Sequence, residues 1–208
     1  MQEPYNIQTD APIFAGSYIE YLNFIDTTYF DIIQQRNVLE IGPSNGKHSK
    51  LIVGHDPLQF EIVEGDKHVC TRLKTIPGVT NIIHDDIMQY LTCPKPVDVV
   101  VCFGVLYHLH SPLHLLELIV NYCNPEYILL DCVMESKEIT FFAEVANLPG
   151  NNQIRNGWKS CSVNLVIPFL VYLDVMKTLG YQLDLVDRLQ IHDQFSKHNS
   201  WVARWKKV

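Results

Sequence analysis

Val38-Leu39-Glu40-Ile41-Gly42-Pro43-Ser44-Asn45-Gly46 is a short strand pattern that ends in a glycine, with a second glycine where a helix can begin. In a doubly wound sheet, the first strand-to-helix turn forms the crevice for a nucleotide-like ligand. Glycines there let the backbone approach the ligand closely. The stretch therefore predicts an α/β fold with its site at this turn.

Outward from it, five apolar runs have the composition of buried parallel strands: Asn37 to Ile41, Phe60 to Val63, Thr80 to His84, Val97 to Phe103 and Tyr127 to Asp131. Helical patterns at Lys47 to Val53, Lys67 to Lys74 and Pro112 to Tyr122 alternate with them, the last opening on Ser111-Pro112. Such alternation predicts a Rossmann-like doubly wound sheet. A helix from Pro168 to Leu179, stopped by Gly180, precedes two β segments, Tyr181 to Arg188 and Ser200 to Trp205. With these the expected sheet has seven strands, mostly parallel, and a C-terminal antiparallel strand.

The 208 residues are 47% hydrophobic, enough for one sizeable core and too few for two ordinary domains, so a single domain over 1–208 is expected. Residues 1–35 read as an N-terminal cap with a helix at Phe24 to Gln34, preceded by an irregular stretch carrying Tyr5, Tyr18 and Tyr21. Residues 135–165 are polar and broken by Pro149-Gly150-Asn151-Asn152 and Asn156-Gly157, the signature of a substrate lid.

A net charge of −7 disfavours a phosphate backbone as partner, and the one dense basic run, Arg204, Lys206 and Lys207, reads as a solvated strand end. The six cysteines show no C-x-x-C pair, so they read as reduced thiols. No apolar run is long enough to span a membrane, and the N-terminus has no signal pattern; a cytoplasmic protein is expected.

Two further strand ends carry acids. Glu64 closes Phe60-Glu61-Ile62-Val63, where a carboxylate can accept both hydroxyl protons of a ribose. Asp85-Asp86-Ile87 follows the next strand; an acid there can accept from an adenine amino group while the following amide donates to a ring nitrogen, with Asp86 preferred over Asp85. Each acid alone is commonly a solvated strand end or a helix N-cap. Their order and spacing together point to adenosine.

These segments, with Val97-Asp98-Val99-Val100-Val101-Cys102-Phe103-Gly104-Val105-Leu106-Tyr107-His108, resemble the motifs of class I S-adenosylmethionine-dependent methyltransferases over nearly the whole chain. The resemblance implies that cofactor, held by Glu40, Gly42, Pro43, Ser44, Gly46, Glu64, Gly65, Asp85, Asp86, Ile87, Phe103 and Gly104. Within the superfamily, the G-V-L-Y-H segment followed by Ser111-Pro112-Leu113, and later Ile167-Pro168, is similar to the tRNA wobble-uridine carboxymethyl transferases. That group uses a carboxylated form of the cofactor, which stays open here. Its extra N-terminal domain has no counterpart in this sequence, and the acidic charge is unfavourable for tRNA, so only the fold and the cofactor class are carried over.

Ser44 stands where the family's loop has its middle glycine. Either the backbone there avoids positive φ or the hydroxyl contacts the ligand. The same serine completes a G-x-S-x-G pattern, the nucleophile elbow of α/β-hydrolases, with Asp131 and His192 as nominal partners. That elbow normally follows several strands, and here it follows the first. His108, His110 and His114 invite a metal reading, but no acidic helper of the H-E-x-x-H type accompanies them, and no metal is expected.

Transfer of a methyl group from a sulfonium is an in-line displacement from an already activated leaving group, so alignment matters most. The expected reaction is methylation of a small molecule. Tyr107 and His108 are the expected catalytic and substrate-facing residues at the fourth strand's end, with His108 as base, and Arg155 and Trp158 are the expected substrate contacts in the lid. The alternatives are a methyl or carboxymethyl transferase acting on tRNA or another macromolecule, and a non-catalytic cofactor-binding protein.

Overall fold

A computed structural model describes residues 13–109, 111–133, 142–145, 163–167, 169–192 and 197–208. The expected lid residues Arg155 and Trp158, and His110, lie outside the described residues.

The five buried runs form parallel strands β2 (Asn37–Ile41), β3 (Gln59–Glu64), β4 (Asn81–His84), β5 (Val99–Cys102) and β6 (Tyr127–Val133). Between them lie α2 (Lys47–Gly54), α3 (Lys67–Leu73), the single-turn α4 (Ile87–Tyr90) and α5 (Pro112–Leu118), which runs on into a wider turn over Ile119–Cys123. Strands β9 (Tyr181–His192) and β10 (Lys197–Lys207) follow helix α6 (Phe169–Thr178). β10 inserts between β6 and β9, antiparallel to both, which is the expected antiparallel strand.

The sheet has eight strands rather than seven; with β1 at Ile13–Gly16 their order is β1-β9-β10-β6-β5-β2-β3-β4. The additional one, β1, lies parallel to β9 in the segment expected to be irregular. The helix after it, α1 (Tyr18–Tyr29), starts six residues before the expected Phe24. Its start is set by a capping box: Ser17 Oγ accepts from the Glu20 amide, and the Glu20 carboxylate accepts from the Ser17 amide at 2.7 Å. Tyr21, Ile25 and Tyr29, one per turn, then bury one stripe of α1. Within the expected lid, β7 (Phe142–Val145) and β8 (Val163–Val166) pair as a separate antiparallel ribbon, and β8 packs near Leu106–His108. Strand there overrides the polar, turn-rich reading at both ends of the segment.

Side chains alternate between two cores. Leu39, Ile41, Val100 and Cys102 pack on one face with α5, α6 and Trp201. Val38, Val99, Val101 and Phe103 pack on the other with Tyr21, Ile25, Tyr29 and Ile52. With both faces covered, only the strand ends are open to a ligand. Strand order reverses between β2 and β5, so the C-terminal ends of these two strands flank the switch point. Among the described residues no helix is long and apolar enough to cross a membrane.

Candidate functional site

The turn after β2 is built on alternating left-handed residues: Gly42 at φ +63°, Ser44 at φ +53° and Gly46 at φ +73°. The first of the two alternatives for Ser44, a backbone that avoids positive φ, is therefore corrected. The serine holds the conformation a glycine would take, with its amide donated to Glu64. A Cβ on Gly42 would meet Val105 Cγ2 at 2.7 Å, and one on Gly46 would meet Leu73 Cδ2 at 2.7 Å, so both glycines are required by packing as well as by φ. Pro43 is buried, and Ser44 and Asn45 are exposed.

The loop is tied to the next strand through Glu64. One carboxylate oxygen accepts from the Ser44 amide at 3.2 Å, the other from the Asp66 amide at 2.9 Å. Burial pushes the Glu64 carboxyl above its ordinary range, and the amides of Asp66, Ser44 and Gly65 pull it back. Each oxygen keeps a second lone pair, so a diol can still be received. Asp66, absent from the expected set, caps α3 by accepting from the His68 and Val69 amides. Gly65 contributes its carbonyl, 3.1 Å from His84 Nε2.

Glu40 sits behind the loop, 2% exposed, and accepts from Ser49 Oγ at 2.6 Å. Burial raises its carboxyl to about 8, a shift the Ser49 bond lowers in part and Glu64 adds to. At the end of β4, Asp86 accepts from the Met88 amide at 2.8 Å as the N-cap of α4, and Asp85 accepts from the Asp86 amide at 2.8 Å. Ile87 is buried in the first turn of α4.

At the end of β5, Phe103 turns into the second core, parallel to Phe30 at 6.2 Å and edge-on to His48 at 5.2 Å. Gly104, at φ +72°, donates its amide to Asp131, near the C-terminal end of β6. Tyr107 Oη lies 3.6 Å from where a Gly104 Cβ would stand. The Tyr107 and His108 rings are 4.2 Å apart, with Tyr107 half-buried and His108 exposed. His114, by contrast, pairs with Glu117 at 3.0 Å on the α5 surface.

The strand ends thus place Gly42, Glu64, Asp85, Gly104 and Tyr107 along one edge of the sheet. They also bring in residues that the sequence reading did not assign to the site. Tyr18 and Tyr21 of α1 lie within the electrostatic reach of Asp131, whose charge pushes both phenols upward in addition to burial. His48, in the first turn of α2, stands edge-on to Tyr21 at 5.9 Å; its Nε2 is buried without a partner, and desolvation holds the ring down at about 4. The rule that picked Glu64, an acid at the C-terminal end of a buried strand, was available for Asp131 as well.

The C-terminal basic run is committed within the protein. Arg204 pairs with Asp31 and Asp184, Lys206 lies over the Tyr127 ring, and Lys207 donates to Asn124 Oδ1 at 2.6 Å.

No protein-family model matches the chain. The tRNA U34 carboxymethyltransferase of Pseudoalteromonas atlantica is 28% identical over an alignment of 188 positions that covers 82% of this chain and 52% of that protein. The chain spans about half the length of this curated relative. Among solved structures, magnesium protoporphyrin IX methyltransferase of Synechocystis, with bound S-adenosylmethionine, superposes with a TM-score of 0.63 at 7% identity, covering 91% of this chain and 79% of that one. The N-methyltransferase NodS of Bradyrhizobium japonicum gives a TM-score of 0.60 at 16% identity, over 91% and 95% of the two chains. The chain has the fold of the S-adenosylmethionine-dependent methyltransferases.

Proposed function

Starting from that shared fold, we propose that this chain binds S-adenosylmethionine at the β2–β5 switch point and transfers its methyl group to a small-molecule acceptor. The observation that carries the reading is the joint between loop and acid: three left-handed residues at 42, 44 and 46, with the Ser44 amide held by Glu64. The donor set suits the cofactor. Glu64 faces the ribose diol, and the loop from Gly42 to Gly46 leaves room for the methionine part. Asp86, with Asp85 beside it, takes the adenine amino group next to the Ile87 amide; each acid spends one carboxylate oxygen on a local amide at 2.8 Å and keeps the other. When bound, the cofactor supplies an electrophilic methyl carbon on a positively charged sulfur.

The chain's own work is alignment. Gly104 and Tyr107 form the floor and wall beyond the loop, on the side where an acceptor would enter. His108 stands exposed at the rim against Tyr107, where it contacts the acceptor; a His108→Ala variant with unchanged turnover and KM would remove it from the site. Residues 1–35 are read as a cap and 135–165 as a substrate lid, since β8 sits near Leu106–His108. The location is read as cytoplasmic.

Isothermal titration with S-adenosylhomocysteine tests the reading: binding is expected, and Glu64→Gln should weaken it by about tenfold or more, one charge-assisted pair of hydrogen bonds. Absence of heat and of a thermal shift would end it. A second reading, carboxymethyl transfer to tRNA, is favoured by the likeness to the Pseudoalteromonas enzyme over 82% of this chain. It requires tighter binding of the carboxylated cofactor and RNA binding that falls steeply with salt. The net charge of −7 and the internally paired Arg204 favour the small-molecule reading.

A further inference from the structure

Asp131 has the features of a working carboxylate without a role in cofactor recognition. It lies near the C-terminal end of β6, two residues before Val133, in the strand beyond β5 from the loop, and it is only half-buried. One oxygen is fixed by the Gly104 amide; among the described residues no hydrogen bond reaches the other. Three tyrosines, Tyr18 and Tyr21 from α1 and Tyr107 beside Gly104, surround this end of the sheet, and their hydroxyls feel the carboxylate or one another.

Strand spacing places Asp131 relative to the cofactor. Neighbouring strands are about 4.8 Å apart, so Asp131 lies roughly 10 Å from the β2 loop and roughly 14 Å from Glu64 on the far side. With ribose at Glu64 and the methionine part at the loop, the reacting methyl carbon falls over the end of β5. The acceptor atom must then come from the direction of β6.

We infer that Asp131, walled by Tyr18, Tyr21 and Tyr107, binds the nitrogen of a primary or secondary amine acceptor and takes its proton, which makes the reaction an N-methylation. This rests on the cofactor reading above. A carboxylate surrounded by aromatic rings favours a cation, and one of these rings already holds one: Lys47 Nζ lies 4.1 Å from the Tyr18 ring centroid. Burial raises the Asp131 carboxyl to about 7, opposed by the Gly104 amide, which makes it a far better proton acceptor than an ordinary aspartate. That brings it closer to an ammonium than an ordinary carboxylate comes, and leaves it too weak a base for an aliphatic hydroxyl.

The step balances. The ammonium gives one proton to Asp131, leaving a neutral nitrogen with its lone pair. That pair forms the N–C bond as the S–C bond breaks, and the S–C electrons remain on sulfur as a thioether. The methylated ammonium product then sheds a proton to solvent, as does Asp131.

The test uses the full chain with a panel of primary and secondary amines and an alcohol matched to each. S-adenosylhomocysteine formation is the turnover readout, and the melting temperature at saturating S-adenosylhomocysteine is the binding readout. Turnover and a melting shift are expected for members of the amine set and for none of the alcohols. Asp131→Asn keeps an oxygen for the Gly104 amide; it should abolish the amine-dependent melting shift and cut kcat/KM about 100-fold or more, while S-adenosylhomocysteine binds within about twofold of wild type. Asp131→Glu should recover part of the turnover, and Tyr18→Phe should mainly raise KM. Turnover on alcohols alone, no turnover on any amine, or undiminished turnover in Asp131→Asn overturns the inference while leaving the cofactor reading standing. Failure of wild type to bind S-adenosylhomocysteine overturns both.

Discussion

Ser44 holds a φ of +53° between two glycines that do the same, and a side chain in that region costs on the order of 1 kcal/mol. Its amide is used by Glu64 at 3.2 Å, so the turn is kept in shape from the neighbouring strand. Ser44→Gly would release the strain and give back a similar amount to the unfolded chain, so stability should stay within about 1 kcal/mol. Cofactor affinity should be kept or tightened, since the loop already has the glycine conformation; a loss beyond about tenfold by calorimetry would assign the hydroxyl a contact of its own. Residue identity at this site was readable because strand ends are punctuated by Gly42, Glu64 and Gly104. The dihedral at Ser44 was not, since a serine prescribes no left-handed turn; the loop's tie to Glu64 imposes it.

Helix α1 links the edge of the sheet to the acceptor side of the site. Its first turn is set by the Ser17–Glu20 box, and Tyr18 and Tyr21 follow within one turn. Ser17→Ala should cost about 1 kcal/mol and lower the melting temperature by about 2–4 °C. Because the same turn carries the two tyrosines, acceptor KM should rise while S-adenosylhomocysteine affinity holds, a split that steady-state kinetics and calorimetry can read. The box and the spacing of Tyr21, Ile25 and Tyr29 were present in the sequence; the tyrosines, half-polar, masked an apolar stripe. β1 offered less, being four residues long with an exposed Ile13, and only its partner β9, some 175 residues on, makes it a strand. The central strands were legible for the opposite reason: they are buried on both faces, and their apolar runs depend on no distant partner.

At the scale of the whole molecule, two carboxyls are shifted to near neutrality. Glu40 at about 8 and Asp131 at about 7 both bind protons more tightly folded than unfolded, so their contribution is present at low pH and is lost as pH rises through those values. His48, held at about 4, acts in the other direction and costs stability only as pH falls below about 6.5. Thermal melts of the free chain should therefore show stability declining from about pH 4.5 to about pH 8, less steeply below about pH 6.5, where His48 opposes the two carboxyls. Glu40→Gln should flatten that decline and raise stability at the alkaline end by on the order of 3 kcal/mol, with Ser49 Oγ still bonded to the amide oxygen. Equal slopes for the two proteins would show that Glu40 is not the group titrating. The order of the strands has a kinetic consequence. β10 lies between β6 and β9, both of which precede it in the chain, so the two parts of the sheet have no backbone bond to each other until it arrives. Up to that moment β6 and β9 present bare interior edges that any other extended chain could occupy. Refolding should wait on this one insertion, and crowding of chains during it, rather than weakness of the finished core, sets the yield.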